Sequence, residues 1–104
     1  MPSVQRLLIQ EGFQAGKAIE LHTFPFTIGR SRDCMLVLDS SSISRLHARC
    51  TRDHLNIFVE DMGSTNGTFV NGRRLEYGEA YRLRAGDVIS FAQVCTAIFD
   101  DPAT

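Results

Sequence analysis

The side chains of this 104-residue chain that could do covalent chemistry are Ser44, His47 and Asp61. Together they would offer a nucleophile, a base and an orienting carboxylate for acyl transfer. No Gly-x-Ser-x-Gly turn surrounds Ser44 and no element supplies an oxyanion hole, so a hydrolase is not expected. Residues 67–72 have the glycine spacing of a nucleotide-binding loop, but Arg73 and Arg74 follow where Lys and Ser/Thr are required. That segment also reads as a hairpin rather than a strand-to-helix turn. Cys34, Cys50 and Cys95 are odd in number, widely spaced and in apolar settings, which predicts buried free thiols and a reducing compartment. No Cys-x-x-Cys occurs, and strand periodicity sets His47 and Cys50 on opposite faces, so no zinc site is expected. Catalytic residues, metals and cofactors are all absent from this reading.

Charge is unevenly distributed along the chain. Between residues 30 and 52 stand five arginines against Asp33 and Asp39, whereas from Glu76 onward five acids face Arg82 and Arg84. The net charge is −1, which argues against a general binder of nucleic acid or of anionic membranes. Any anion should therefore meet the first region. The stretch Asp61-Met-Gly-Ser-Thr-Asn-Gly-Thr-Phe-Val-Asn-Gly72 is neither core strand nor surface helix. Gly63 and Gly67 permit positive φ, and Ser64, Thr65, Asn66 and Thr68 offer hydroxyls and an amide to backbone or ligand. Asn71-Gly72 then marks a tight hairpin. A rigid polar loop held between strands is a recognition element.

The elements that must hold this loop are short strands. Apolar or alternating runs occur near residues 4–10, 18–21, 26–28, 35–38, 46–52, 55–59, 69–70, 73–75, 80–83, 87–91 and 94–99, separated by Gly, Asn, Ser and Asp. In the run at 46–52, Leu46, Ala48 and Cys50 fall on one face and His47, Arg49 and Thr51 on the other. No stretch has helical length, so the expected fold is an all-β antiparallel sandwich of about eleven short strands. Residues 1–100 form a single domain in this reading, and 101–104 a disordered tail. No apolar run approaches the roughly 20 residues that span a bilayer. A soluble protein of the cytoplasm or nucleus is expected.

Four blocks in order carry a resemblance. Phe26-Thr-Ile-Gly-Arg30, Ile43-Ser-Arg-Leu-His-Ala48, the stretch from Asp61 to Gly72, and Leu83-Arg-Ala-Gly-Asp-Val-Ile89 closely resemble the signature of the forkhead-associated (FHA) domain. Ala92, where a glycine is common, and the apolar Met35 depart from the pattern. The resemblance implies a sandwich whose loops at one end bind phosphothreonine in a partner protein, a kinase substrate or an autophosphorylated kinase, with the domain monomeric. It implies that Arg30 and Ser44 contact the phosphate, that Arg45 and Thr65 assist, and that Asn66 bonds the peptide backbone. Gly29, His47 and Gly63 stand at the family's structural positions, and Asn71 is expected to help hold the loop. Selecting threonine over serine requires an apolar pocket for one methyl group, worth about 1–3 kcal/mol.

The competing reading is a scaffold of the same fold that assembles with partners independently of phosphate. No threonine precedes Thr23, which is expected inside the sandwich. A phosphorylated N-terminal threonine that folds back into the pocket is therefore not expected within these residues. The loops at 30–34, 39–44 and 62–68 are expected to read the residues that flank the phosphothreonine.

Overall fold

Alternation of apolar and polar residues turns directly into two packed sheets. The computed structural model describes residues 4–102. Its eleven strands are β1 (Arg6–Glu11), β2 (Ala18–Glu20), β3 (Phe26–Gly29), β4 (Leu36–Val37), β5 (Ala48–Asp53), β6 (Asn56–Asp61), β7 (Thr68–Val70), β8 (Arg73–Arg74), β9 (Tyr81–Arg82), β10 (Val88–Phe91) and β11 (Cys95–Asp100). One sheet has the order β2-β1-β11-β10-β7-β8 and the other β4-β3-β5-β6-β9. Every pairing is antiparallel except β3 with β4, which is parallel. The chain can make that parallel pair only because residues 30–35 carry it back to the start of β4.

Inward residues of the two sheets form one core. Leu7 and Ile9 of β1, Ile28 of β3, Ala48 and Cys50 of β5, Ile57 and Val59 of β6, Ile89 and Phe91 of β10, and Ala97 and Phe99 of β11 are buried. Each large one contributes roughly 1.5–3 kcal/mol by leaving water. Burial also pushes the Cys50 thiol up to about 12, so it stays protonated in the core. Among the described residues no helix is long and apolar enough to cross a membrane.

The structure differs from the expectations at several points. Thr23 is exposed in the link between β2 and β3, not inside the sandwich. Strand β5 starts only at Ala48, so period 2 does not apply before it: Leu46 is exposed and His47 is buried. Cys34 is partly exposed, donating its S–H to the Arg45 carbonyl. Of the segment 101–104, Asp101 accepts a hydrogen bond from Gln5 Nε2, and residues 103–104 lie outside the described residues.

Among the connections that gather at one end of the sandwich are 30–35, 38–47, 62–67 and the β10–β11 turn. The Ala92 N–H donates to the Gly67 carbonyl at 2.8 Å, which fixes that turn beside the third connection. Ala92 and Gln93 both adopt left-handed backbone, with φ of 55° and 57°. The departure from glycine at Ala92 is thus a place where an L residue occupies a conformation that costs it about 1–2 kcal/mol. Gln93 is exposed and loses no packing on truncation. Gln93→Gly should therefore stabilise the protein by about 1 kcal/mol and raise the melting temperature by about 4–8 °C. A calorimetric melt checks this; an unchanged or lower midpoint would show that the turn carries no strain.

Candidate functional site

Asp61, the last residue of β6, organises the connection that follows it. Its Oδ2 accepts the backbone N–H groups of Gly63 at 3.0 Å and Ser64 at 3.1 Å. Its Oδ1 accepts the hydroxyls of Ser64 and Thr68. Burial works to raise this carboxyl, but the four hydrogen bonds outweigh it and hold the group below the ordinary value of 3.8. The Ser64 Oγ then accepts the Gly67 N–H at 2.9 Å. Ser64 and Thr68 are thereby spent inside the loop, and Thr65 and Asn66 are left exposed at its crest. An Asp followed two and three residues later by Gly-Ser is the local sequence signal of such an Asx-type turn. The sequence reading weighed Asp61 only as a catalytic orienter and missed this role.

His47 joins two connections. Its Nδ1 accepts the Ser44 N–H at 3.0 Å, and its Nε2 lies 2.8 Å from the Gly67 carbonyl. A carbonyl only accepts, so Nε2 carries the proton and the ring is neutral. Both nitrogens are occupied, which leaves no lone pair for a base or a metal. The ring meets Phe91 edge-on, with centroids 6.1 Å apart. Burial lowers its proton affinity below the ordinary 6.5, against smaller opposing effects of the Gly67 carbonyl and Asp61.

Gly29 explains how the two loops come so close. A Cβ there would collide with the Arg45 carbonyl oxygen, so only glycine lets the end of β3 lie against residues 44–45. The Arg30 and Ser31 N–H groups donate to the Ser44 and Arg45 carbonyls at 2.9 and 3.1 Å. Across the gap, the Thr65 N–H donates to Ser44 Oγ at 3.1 Å and Asn66 Nδ2 donates to the Ser42 carbonyl at 2.8 Å.

These bonds bring Arg30, Ser44, Arg45, Thr65 and Asn66 around one shallow cleft of about 260 Å³. Arg30 donates through Nε to the Ile43 carbonyl at 3.1 Å, which orients its two terminal amino groups. Ser44 Oγ accepts from Thr65, so its own hydroxyl hydrogen is available as a donor. Among the described residues the ion pairs of arginine are Arg6–Asp100, Arg49–Glu60 and Arg73–Glu79, and neither Arg30 nor Arg45 has an acidic partner. The cleft is therefore a concentration of unneutralised positive charge and hydrogen-bond donors. Gly63 lies outside it, on the neighbouring groove, at φ 81°. Asn71 does not hold the loop: it lies at the other end of β7, where it bonds Asp87 and the Val88 N–H and ties the β7–β8 turn to β10. A larger cleft of about 580 Å³ at Leu55, Arg82 and Arg84 lies at the opposite end of the sandwich.

The buried neutral imidazole makes stability depend on pH with a defined sign. The folded protein resists protonation of His47 more than the unfolded chain does, so the unfolded state gains protons as pH falls below about 6.5 and stability is lost. His47→Ala should cost about 2–5 kcal/mol at pH 7, because Ser44 N–H and Gly67 C=O lose their partner and Phe91 its neighbour. That cost should shrink between pH 7 and pH 5. Denaturant titrations at both pH values measure it, and a pH-independent difference would contradict the neutral ring.

Known proteins share this sequence pattern and this fold. The sequence profile of the FHA domain matches residues 26–92. The FHA domain-containing protein FhaB of Mycobacterium tuberculosis is 42% identical over 80 residues, which are 77% of this chain and 50% of FhaB. The chain thus spans about half the length of that relative. The Mycobacterium tuberculosis protein EmbR, solved with a low-affinity phosphopeptide, superposes with a TM-score of 0.84 at 29% identity over 96% of this chain and 25% of EmbR. The MEK1 FHA domain, solved with a HOP1 phosphothreonine peptide, superposes with a TM-score of 0.78 at 28% identity over 97% of this chain and 99% of that one. With the profile covering more than half of its length, the chain belongs to the FHA domain family of phosphopeptide-recognition modules.

Proposed function

We propose that this chain binds a phosphothreonine-containing segment of a partner protein, the phosphate entering the cleft between the 38–47 and 62–67 connections. The partner is a kinase substrate or an autophosphorylated kinase, and the chain acts as a monomeric binding module without catalysis or affinity for nucleic acid. The observation that carries this reading is the convergence of Arg30, Ser44, Arg45, Thr65 and Asn66 on one cleft, its two sides tied by the Thr65 N–H to Ser44 Oγ and by Asn66 Nδ2 to the Ser42 carbonyl.

A phosphorylated side chain brings about −1.5 to −2 charges and three acceptor oxygens at neutral pH. Arg30 meets it with its oriented terminal amino groups, Ser44 with its hydroxyl, and Arg45 and Thr65 from either side. Charge-assisted bonds of this kind are about twice as strong as neutral ones. Asn66 spends one amide hydrogen on Ser42 and keeps its second hydrogen and its Oδ1 for the ligand backbone. Gly29 and His47 act by placing these groups, and Gly63 by allowing the turn beside Asp61.

Fluorescence anisotropy against peptide libraries centred on phosphothreonine, phosphoserine and unmodified threonine tests the reading. Micromolar binding, near −8 kcal/mol, is expected for the phosphothreonine library only. Arg30→Ala should remove about 2–5 kcal/mol of it, since truncation leaves the phosphate buried without its partner. Equal affinity of the parent and Arg30→Ala for the same partner would instead establish a phosphate-independent scaffold.

A further inference from the structure

We propose that the groove lined by Asp61, Gly63, Ser64, Arg74, Glu76 and Tyr77, with Leu75 at its floor, is a second subsite for the same peptide, in which Arg74 selects an anionic side chain flanking the phosphothreonine. The proposal rests on the phosphothreonine reading above. The groove measures about 540 Å³ and lies on the other side of the 62–67 connection from Ser44. Thr65 is common to both sites: its residue lines the phosphate cleft, and its carbonyl accepts Arg74 Nη2 at 3.4 Å. A ligand crossing the crest of the loop at Thr65 therefore passes directly from one to the other.

Arg74 is placed but not neutralised. Its guanidinium lies 5.9 Å over the Phe69 ring, and it fits against Gly67 so closely that a Cβ there would stand 2.8 Å from its Nε. The adjacent Arg73 differs, since Glu79 meets its charge at 2.6 Å. Among the described residues Arg74 has no such partner. Of the two carboxylates that line the groove, Asp61 is 6% exposed and already accepts four hydrogen bonds. Glu76 is exposed and repels anions from its own end, which leaves the Thr65 end for an anionic group. Tyr77 is 76% exposed and stands against Gly63, offering a flat apolar surface to the stem of that side chain. A planar guanidinium suits a carboxylate or a second phosphate alike.

The test is anisotropy of the intact chain with phosphothreonine peptides that carry alanine, aspartate or phosphoserine at each flanking position in turn. One position should favour aspartate over alanine by about three- to fivefold, the size expected of an exposed ion pair, and the preference should shrink with added salt. A larger gain for phosphoserine at that position would identify a second phosphate as the ligand, and an equal or smaller gain a carboxylate. In Arg74→Ala the aspartate-to-alanine ratio should fall to about one. In Arg74→Glu the same position should favour lysine, an inversion that misfolding cannot produce. Absence of any acidic preference in the parent, its persistence in Arg74→Ala, or an equal loss for all peptides would overturn the subsite. Binding that needs Arg30 but shows no preference dependent on Arg74 removes only the subsite; no binding of any phosphothreonine peptide removes the underlying reading as well.

Discussion

The structure of the recognition end depends on a set of hydrogen bonds, buried at its centre, that ties the 38–47 connection to the 62–67 connection. Ser44 donates to His47, His47 to the Gly67 carbonyl, Gly67 to Ser64, and Thr65 back to Ser44. Asp61 supports this set from below through Ser64. Of the five buried polar residues among the described residues, four, His47, Asp61, Ser64 and Thr68, belong to this assembly. Buried polar groups are costly unless every one is satisfied, and a fully satisfied network specifies a single geometry. Among the described residues no buried side-chain nitrogen or oxygen lacks a partner. The exposed groups around the cleft thus inherit fixed positions from the buried His47, Asp61, Ser64 and Thr68 beneath them.

Charge is distributed to the same end. A chain with a net charge of −1 gives no impression of anion binding from its composition. Among the described residues Arg6, Arg49 and Arg73 face acids across neighbouring strands or turns, whereas Arg30, Arg45 and Arg74, which border the 38–47 and 62–67 connections, have no ion-pair partner. Local fields of this kind attract a doubly charged ligand over about a Debye length, near 8 Å at physiological salt.

Much of the fold was legible because strands announce themselves by period 2. All eleven runs read from the sequence became strands, and Asn71-Gly72 formed its turn with both residues at positive φ. The failures cluster where the period stops. Leu46 and His47 were read as part of a strand, yet they precede it, and there a side chain's direction is set by long-range bonds rather than by its neighbours. Thr23 and Asn71 failed for the same reason, since each sits in a connection whose course depends on distant elements. The family resemblance grouped Arg30, Ser44, Arg45, Thr65 and Asn66, and the structure shows that these five line one cleft. The internal work of Asp61, Ser64 and Thr68 was not legible, because a hydroxyl that bonds its own loop and one that awaits a ligand look identical in sequence. Arg74 lay concealed in a short edge strand whose pairing with Phe69 only the folded register reveals.

Gly29 limits how this surface can change. With the end of β3 pressed onto residues 44–45, and those residues bonded in turn to 65–67, the loops do not behave as separate modules. A loop exchanged alone between two such domains would leave donors and acceptors unmatched on the loop that stayed. New ligand preferences are therefore most accessible through exposed side chains on the existing backbone, and transplantation succeeds only when the 38–47 and 62–67 connections travel together with the glycine beneath them.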